Sequence, residues 1–255
     1  MLELILVWAI VGFIAQLIDG ALGMAYGVSS TTALISVGFS PALASASVHT
    51  AEVFTTLVSG SSHFKLGNVD RRMALRLVIP GVLGGITGAF ASFSVSGKPL
   101  SVVVGFILLT MGFIILCKFA FKKTQRFREK GMSTKRLVPL GYVAAFTDAL
   151  GGGGWGPVAT TTLVANNVKP NEAIGSVNFA EFFVTAAEST TFIILIGPEN
   201  FNWLMVIGLL AGGVICAPIA AWLCKKIPTR LLGILVGAIV IILSVRMILK
   251  FAGLM

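Results

Sequence analysis

Two acidic residues stand directly before glycine-rich breaks in sequence that is otherwise apolar. The first is Asp19, in the stretch Asp-Gly-Ala-Leu-Gly-Met-Ala-Tyr-Gly that ends at Gly27. The second is Asp148, in the stretch Asp-Ala-Leu-Gly-Gly-Gly-Gly-Trp-Gly-Pro that ends at Pro157. An unpaired polar group in a bilayer costs several kcal/mol, so an acid in such a place marks a candidate site. The chain therefore predicts a functional site that comes in two copies.

A stripe of polar residues follows each break. In the first half the stripe has spacings of four, three, four and three residues and consists of Ser45, His49, Glu52, Thr56 and Ser59. The matching positions of the second half are Ile174, Asn178, Glu181, Thr185 and Glu188. Residues at these spacings lie along one face of a helix. Two glutamates at matching positions, a histidine and an asparagine predict a polar groove.

The glycine-rich breaks are the predicted binding elements. A break at membrane depth frees backbone N–H and C=O groups, and helix N-termini exposed there favour an anion. Threonine hydroxyls early in the returning helices would add donors, although bonding within their own helix is equally consistent with the sequence. The candidate substrate-binding residues are Asp19, Gly23, Gly27, Thr31, Thr32, Ser45, His49, Asp148, Gly152, Gly153, Gly154, Trp155, Thr160, Thr161, Ser176 and Asn178. A purely structural role, with each acid satisfied by backbone groups, is the alternative.

The composition is that of a membrane protein. Hydrophobic residues make up 56% of the 255 residues, charged residues make up 11%, and the mean hydropathy is +0.96. Soluble proteins carry roughly a quarter charged residues. At about twenty apolar residues per span, the chain allows about eight or nine crossings and leaves no room for a soluble enzyme domain. We therefore expect a protein surrounded by lipid and without enzyme activity.

The formal net charge of +9 comes from basic residues between the apolar runs. In a soluble chain this excess of basic residues would indicate binding to nucleic acid. Here the basic loops indicate which side of the membrane each loop lies on, and no nucleic-acid partner is expected. Cys117, Cys216 and Cys224 lie in apolar sequence without metal-ligand spacing, so we expect them to pack and predict neither a metal nor another cofactor. The N-terminus lacks a basic leader, so the first apolar segment is expected to be retained.

An internal repeat relates the two halves. A shift of 129 residues aligns residues 12–62 with 141–191 without a gap, and about a third of the positions match, against roughly one in ten expected. The predicted segments are 2–18, 24–38, 41–63, 73–95 and 99–121 in the first half and 137–148, 156–167, 170–196, 200–224 and 228–251 in the second. The two short segments of each half predict a broken or re-entrant hairpin. The predicted organisation is a first membrane repeat at 1–121, a basic linker at 122–136 and a second membrane repeat at 137–255.

Basic residues predict that the two repeats are inverted. Lys65, Arg71, Arg72 and Arg76 follow the third segment of the first half, whereas the matching loop 197–202 has no basic residue. After the fourth segment the bias reverses, with Lys98 in the first half and Lys225, Lys226 and Arg230 in the second. If basic loops and the linker 122–136 are cytoplasmic, only inverted repeats satisfy all loops.

The predicted fold class is therefore an all-α polytopic membrane protein of two inverted repeats. Each repeat consists of a short broken or re-entrant helical hairpin and three transmembrane helices. We expect it in the inner (plasma) membrane, with Asp19 and Asp148 close together at mid-depth. This is the architecture of a secondary transporter.

The motifs resemble those of a known transporter family. Paired Asp-Gly-rich breaks, each followed by a proline and a polar-striped helix, resemble the TauE/SafE family of sulfite and sulfonate exporters, also called the four-TMS sulfite and sulfur-compound transporters. The resemblance covers essentially the whole chain and rests on residues 19–27, 148–157 and 176–181. It implies transport of a small sulfur-containing anion such as sulfite, thiosulfate or a sulfonate, without choosing among them.

The paired acids suggest how an anion would move. Two aspartates and two glutamates suit an anion site only if some are protonated, which burial favours. We therefore expect protonation of Glu52 or Glu181, assisted by His49, to couple anion movement to a proton gradient while the inverted halves alternate access.

Other functions remain open at this point. A divalent metal permease would use the same acids and His49, although no cluster of His and Cys supports it. A membrane assembly factor with structural acids and a membrane-embedded aspartyl enzyme are the alternatives from other classes. The direction of transport is open, and so is the oligomeric state, with a homo-oligomer among the alternatives.

Overall fold

A bundle of α-helices makes up the described part of the chain. The computed structural model describes residues 2–24, 26–39, 41–92, 98–121, 132–151 and 153–251. Its helices are α1 (Leu2–Leu22), α2 (Tyr26–Ser36), α3 (Pro41–Leu66), α4 (Arg71–Ser92), α5 (Lys98–Phe121), α6 (Thr134–Gly151), α7 (Trp155–Ala165), α8 (Pro170–Ile196), α9 (Trp203–Lys226) and α10 (Thr229–Phe251), with a 3-10 turn at Pro198–Asn200. These residues form no strand. The prediction of an all-α protein is confirmed.

Local sequence signals account for the helix boundaries. Prolines open α3 and α8, at the first helical position where a missing N–H does no harm. Gly197 ends α8 with φ 85°, a left-handed backbone conformation that suits glycine. Residues 122–131 of the predicted linker lie outside the described part, and α6 already begins at Thr134, inside that linker.

Many of these helices have the dimensions of membrane spans. Within the described residues, five helices are long and apolar enough to cross a bilayer, namely Leu2–Leu22, Arg71–Ser92, Pro170–Ile196, Trp203–Lys226 and Arg230–Lys250. Helix α3 has 26 residues and a more polar sequence. Large apolar side chains on the outside of the bundle, such as Ile79 and Ile194, are more than 70% exposed, as expected of side chains that face lipid. The chain is a polytopic membrane protein.

The helices pack in matching pairs. Helix α1 packs against α9, and their repeat counterparts α6 and α4 pack against each other. In the same way α3 packs against α9, and α8 packs against α4. Glycines allow the close approach: Gly12 of α1 faces the backbone of Leu209, and Gly84 of α4 faces the backbone of Tyr142. The two halves therefore pack against each other through these helix pairs.

Helices α3 and α8 are repeat counterparts and pack directly on each other. Their contacts include His49 Nδ1 to Glu188 Oε2 at 3.4 Å, Thr56 Oγ1 to Thr185 Oγ1 at 3.3 Å and Ser59 Oγ to Asn178 Oδ1 at 2.6 Å. Residue numbers rise along α3 while they fall along α8, so the two helices run antiparallel. The counterparts α5 and α10 are antiparallel too, since Gly112 packs on Ile241 whereas Phe119 packs on Gly233.

One end of the bundle collects many of the basic residues that the structure describes. The end of α3 is joined to the end of α9 by a hydrogen bond from Asn68 Nδ2 to the Ala221 carbonyl at 3.2 Å. The start of α10 is joined to the end of α5 by Arg230, which donates to the carbonyls of Phe119 and Ala120. We call this the basic end; its basic residues include Lys65, Arg71, Arg72, Lys118, Lys225, Lys226 and Arg230.

Candidate functional site

Five carboxyl groups and one imidazole are buried together in the centre of the bundle. At most 5% of the surface of each residue is exposed, and the six residues are Asp19, His49, Glu52, Asp148, Glu181 and Glu188. Asp19 interacts electrostatically with Glu52 and Asp148, and Glu181 interacts with the other four acids. We call this group the acidic cluster. The structure thus brings together the four acids predicted from the sequence, which come from α1, α3, α6 and α8.

The charge of the acidic cluster is not balanced by basic side chains. Among the described residues no Lys or Arg side chain is buried. An unpaired charge in a low-dielectric interior is strongly unfavourable, so five ionised carboxylates cannot coexist there with one imidazolium. Protons or bound cations must neutralise the excess. The cluster is therefore suited to binding and releasing protons or cations.

The two aspartates anchor the helices that follow the breaks. Asp148 Oδ1 accepts a hydrogen bond from the Gly154 N–H at 2.6 Å, and Asp148 also bonds to the backbone of Trp155. Asp19 bonds to the backbone of Tyr26, the repeat counterpart of Trp155. Tyr26 and Trp155 are the first residues of α2 and α7. The carboxyl groups thus satisfy N–H groups that the breaks leave free, and they occupy some of the backbone donors predicted to bind an anion.

The two glycine-rich breaks touch each other. Thr160 of α7 donates a hydrogen bond to the Gly23 carbonyl at 2.8 Å, and Gly156 packs on Gly23 and Met24. Gly23 has φ 74°, a conformation that glycine adopts without strain. Gly153 packs on Val28 of α2. The breaks therefore form one unit that joins the two repeats.

Two of the predicted hydroxyl donors remain available. Ser45 Oγ and Thr161 Oγ1 are buried and have no hydrogen-bond partner among the described residues. Thr31 and Gly27 are buried in α2. Gly152 and the side chain of Thr32 lie outside the described residues. Ser45 and Thr161 are thus the predicted hydroxyl groups that a ligand could bind without breaking a described contact.

Three predicted residues make contacts between helices. Ser176 Oγ accepts a hydrogen bond from the Asp70 N–H at 2.9 Å, which ties α8 to the start of α4 at the basic end. Trp155 is fully buried and donates to the Val177 carbonyl at 3.3 Å. Asn178 accepts the hydrogen bond from Ser59. The structure does not bring Ser176 into the acidic cluster.

Glu188 belongs to the cluster but is not among the site residues predicted from the sequence. It is fully buried and completes the stripe of α8. Its repeat counterpart is Ser59, so a search for acids at matching positions of the two repeats does not find it. His49 Nδ1 lies 2.9 Å from Glu52 Oε2 and 3.4 Å from Glu188 Oε2. The His49 ring stacks on Phe192 with 5.8 Å between the ring centres, which fixes the imidazole between the two carboxyl groups.

The same region contains groups that could hold a cation. Within the described residues, His49, Asp148 and Glu188 each place a potential ligand atom within 4.8 Å of the other two. Nitrogen and oxygen donors of this kind suit divalent metals. The sequence shows no such spacing because the three residues come from α3, α6 and α8. The 3.4 Å contact of His49 with Glu188 is one that a histidine and a carboxyl group make without a metal, so we do not assign these residues as metal ligands.

Comparisons with known proteins identify a family and a relative. The family model described as Sulfite exporter TauE/SafE matches residues 8–247. A relative from Bacillus subtilis (strain 168), the probable membrane transporter protein YtnM, is 43% identical over 249 residues, which cover 96% of this chain and 83% of the relative. No solved structure matches the chain.

Proposed function

Because the chain belongs to the TauE/SafE sulfite exporter family and is a membrane transporter, we propose that it moves a small sulfur-containing oxyanion together with protons. The substrate class is sulfite, thiosulfate or a sulfonate. The observation that carries the proposal is the acidic cluster, in which five buried carboxyl groups face one imidazole. An anion can approach these acids only when protons neutralise them, so anion binding and proton binding are linked.

The anion would bind beside the two breaks, which contact each other. Thr161 and Ser45 supply hydroxyl donors, and His49 Nε2 is a buried nitrogen without a hydrogen-bond partner among the described residues. An oxyanion is recognised by several such donors converging on it in a site that excludes water. Glu52 and Glu181 lie on the two stripes that face each other and serve as the proton-binding groups, with His49 bonded directly to Glu52.

Alternating access would follow from two inverted repeats, residues 1–121 and 137–255. The antiparallel course of the counterparts α3 and α8, and of α5 and α10, supports this arrangement. Rocking of one repeat against the other would open the site to each side in turn. The basic end, with the linker 122–136, would face the cytoplasm of a cell whose inner membrane holds the protein. All residues of the proposed mechanism come from one chain, so each copy in a homo-oligomer would have its own site.

The test is flux in proteoliposomes. Purified protein is reconstituted, and uptake of sulfite, thiosulfate and methanesulfonate is measured with and without a pH gradient, with Mn²⁺ and Zn²⁺ uptake as the cation arm. We expect pH-dependent uptake of at least one anion by the wild type and loss of the pH dependence in the double variant Glu52→Gln/Glu181→Gln.

The matched control is Glu172→Gln. Glu172 also lies on α8, but it pairs with Lys169 outside the cluster at 3.0 Å. We expect it to behave as the wild type. Unchanged pH dependence in the double variant would disprove the coupling role. Uptake of metal ions without uptake of any anion would show that the substrate is a divalent cation.

A further inference from the structure

The contacts between α3 and α8 are symmetric in position but not in chemistry. In the 129-residue repeat, His49 corresponds to Asn178, and Glu188 corresponds to Ser59. Both pairs are in contact, on opposite sides of the Thr56–Thr185 contact. His49 and Ser59 are ten residues apart on α3, which corresponds to about 15 Å of helix. One pair can carry charge, and the other is a neutral hydrogen bond.

His49 contacts two glutamates in different ways. Glu52 lies on the same helix, one turn away, so its contact with His49 persists whatever the repeats do. Glu188 lies on α8 and belongs to the other repeat. The contact of His49 with Glu188 therefore depends on how the two repeats are oriented, as contacts across a moving interface do.

The surroundings of Glu188 leave it without a full counter-charge. The titratable groups that face it are His49 and Glu52 from α3, Asp148 from α6 and Glu181 from its own helix. Helix α4 contributes Gly85, which packs directly on the Glu188 carboxyl group. The 3.4 Å approach of His49 is an ion-pair distance, and neither carboxyl oxygen has a hydrogen-bond partner among the described residues. One imidazolium balances one carboxylate, and Glu52 makes the shorter contact.

We propose that Glu188 is the residue whose protonation state controls the movement of one repeat against the other. Ionised Glu188 attracts the imidazolium of His49 and holds the repeats in the described orientation. Protonated Glu188 carries no charge and lets them part. The Ser59–Asn178 pair is the neutral counterpart, so the coupling site lies on one side of the centre only. This inference rests on the proposed function and adds to it a residue and an asymmetry.

The experiment compares two transport modes of Glu188→Gln in proteoliposomes. Counterflow, with radiolabelled thiosulfate or sulfite on one side, the unlabelled anion on the other and equal pH, needs no net proton movement. Uptake driven by a pH gradient does need it. We expect Glu188→Gln to retain measurable counterflow and to lose pH-driven accumulation to the level of empty liposomes.

A pair of designed variants tests the asymmetry directly. His49→Asn/Glu188→Ser makes both pairs alike and neutral, and we expect it to lose pH-driven accumulation. Adding Ser59→Glu/Asn178→His places the titratable pair on the other side, and we expect pH-driven accumulation to return. Size-exclusion chromatography checks that each variant is folded, and if Glu188→Gln is aggregated the designed pair decides.

The outcomes separate this inference from the proposed function. Wild-type pH-driven accumulation in Glu188→Gln would overturn the inference. Loss of counterflow together with accumulation in a folded Glu188→Gln protein would overturn it too, because Glu188 would then act in binding. If the wild type accumulates neither anion, it is the proposed function that fails.

Discussion

Thr56 and Thr185 meet through their side-chain oxygens at 3.3 Å, and each is the repeat counterpart of the other. Equivalent residues that touch each other are expected at a pseudo-twofold axis. Each hydroxyl also donates to the carbonyl of the glutamate one turn earlier, Glu52 for Thr56 and Glu181 for Thr185. The midpoint of the two polar stripes is thus a direct packing contact between the repeats.

This contact predicts a disulfide. In a protein whose three native cysteines are replaced by serine, Thr56→Cys/Thr185→Cys should form an intramolecular disulfide on mild oxidation. Threonine and cysteine are similar in size, so the helices need not move apart. The linked peptides are identified by mass spectrometry.

The control pair for the disulfide is Thr50→Cys/Asn178→Cys. Thr50 bonds to Ser189, eleven residues along α8 from Asn178, so this pair should stay reduced. A disulfide in the control pair and none in the test pair would contradict the antiparallel arrangement of α3 and α8.

The anchoring role of Asp148 predicts different effects of two substitutions. Asp148→Asn keeps an oxygen that can accept the hydrogen bond from Gly154, whereas Asp148→Ala leaves that buried N–H without a partner. Such a loss costs about 1–3 kcal/mol of stability. Thermal unfolding in one detergent should therefore give a clearly lower melting temperature for Asp148→Ala than for Asp148→Asn. Equal melting temperatures would show that the aspartate does not hold the start of α7.

Two adjacent threonines on α7 are predicted to respond differently to substitution by valine, one in stability and the other in transport. Thr160 bonds to the Gly23 carbonyl, so Thr160→Val should destabilise the protein by about 1 kcal/mol, seen as a lower melting temperature. Thr161 is buried and has no described hydrogen-bond partner, so Thr161→Val should leave the melting temperature unchanged. If its hydroxyl binds the anion, Thr161→Val raises the KM for uptake several-fold. Each variant is the control for the other, and a reversal of the two readouts would refute the assignment.

The basic end predicts the topology in the membrane. Single cysteines at Asn200 and at Lys169 lie in loops at the two ends of α8. In spheroplasts an impermeant maleimide should label Asn200→Cys and should label Lys169→Cys only after the membrane is opened, because basic loops stay inside. The opposite pattern would place the basic end outside.

The sequence predicts the helices well because their signals are local. A proline followed by an apolar run predicts a span at 170–196, and the helix is Pro170–Ile196. The predicted end of α1 at residue 18 is wrong by four residues, since the helix continues to Leu22. Glycines at positions 20 and 23 predict a break in isolation, but Gly20 lies inside α1, where it packs on Ala220.

The sequence by itself determined that this chain spans membranes, that it contains a duplication and that Asp19, Glu52, Asp148 and Glu181 are its unusual acids. Hydropathy, repeat spacing and helical periodicity carry this information, and all three can be read along the chain. Only the tertiary structure decided which groups face one another. Glu188 joins His49 because the antiparallel crossing of α3 and α8 brings together residues 139 positions apart, and Ser176 turns away to Asp70 because α8 packs on α4. Such pairings depend on the register between helices, which close backbone contacts such as that of Gly60 with Phe179 constrain.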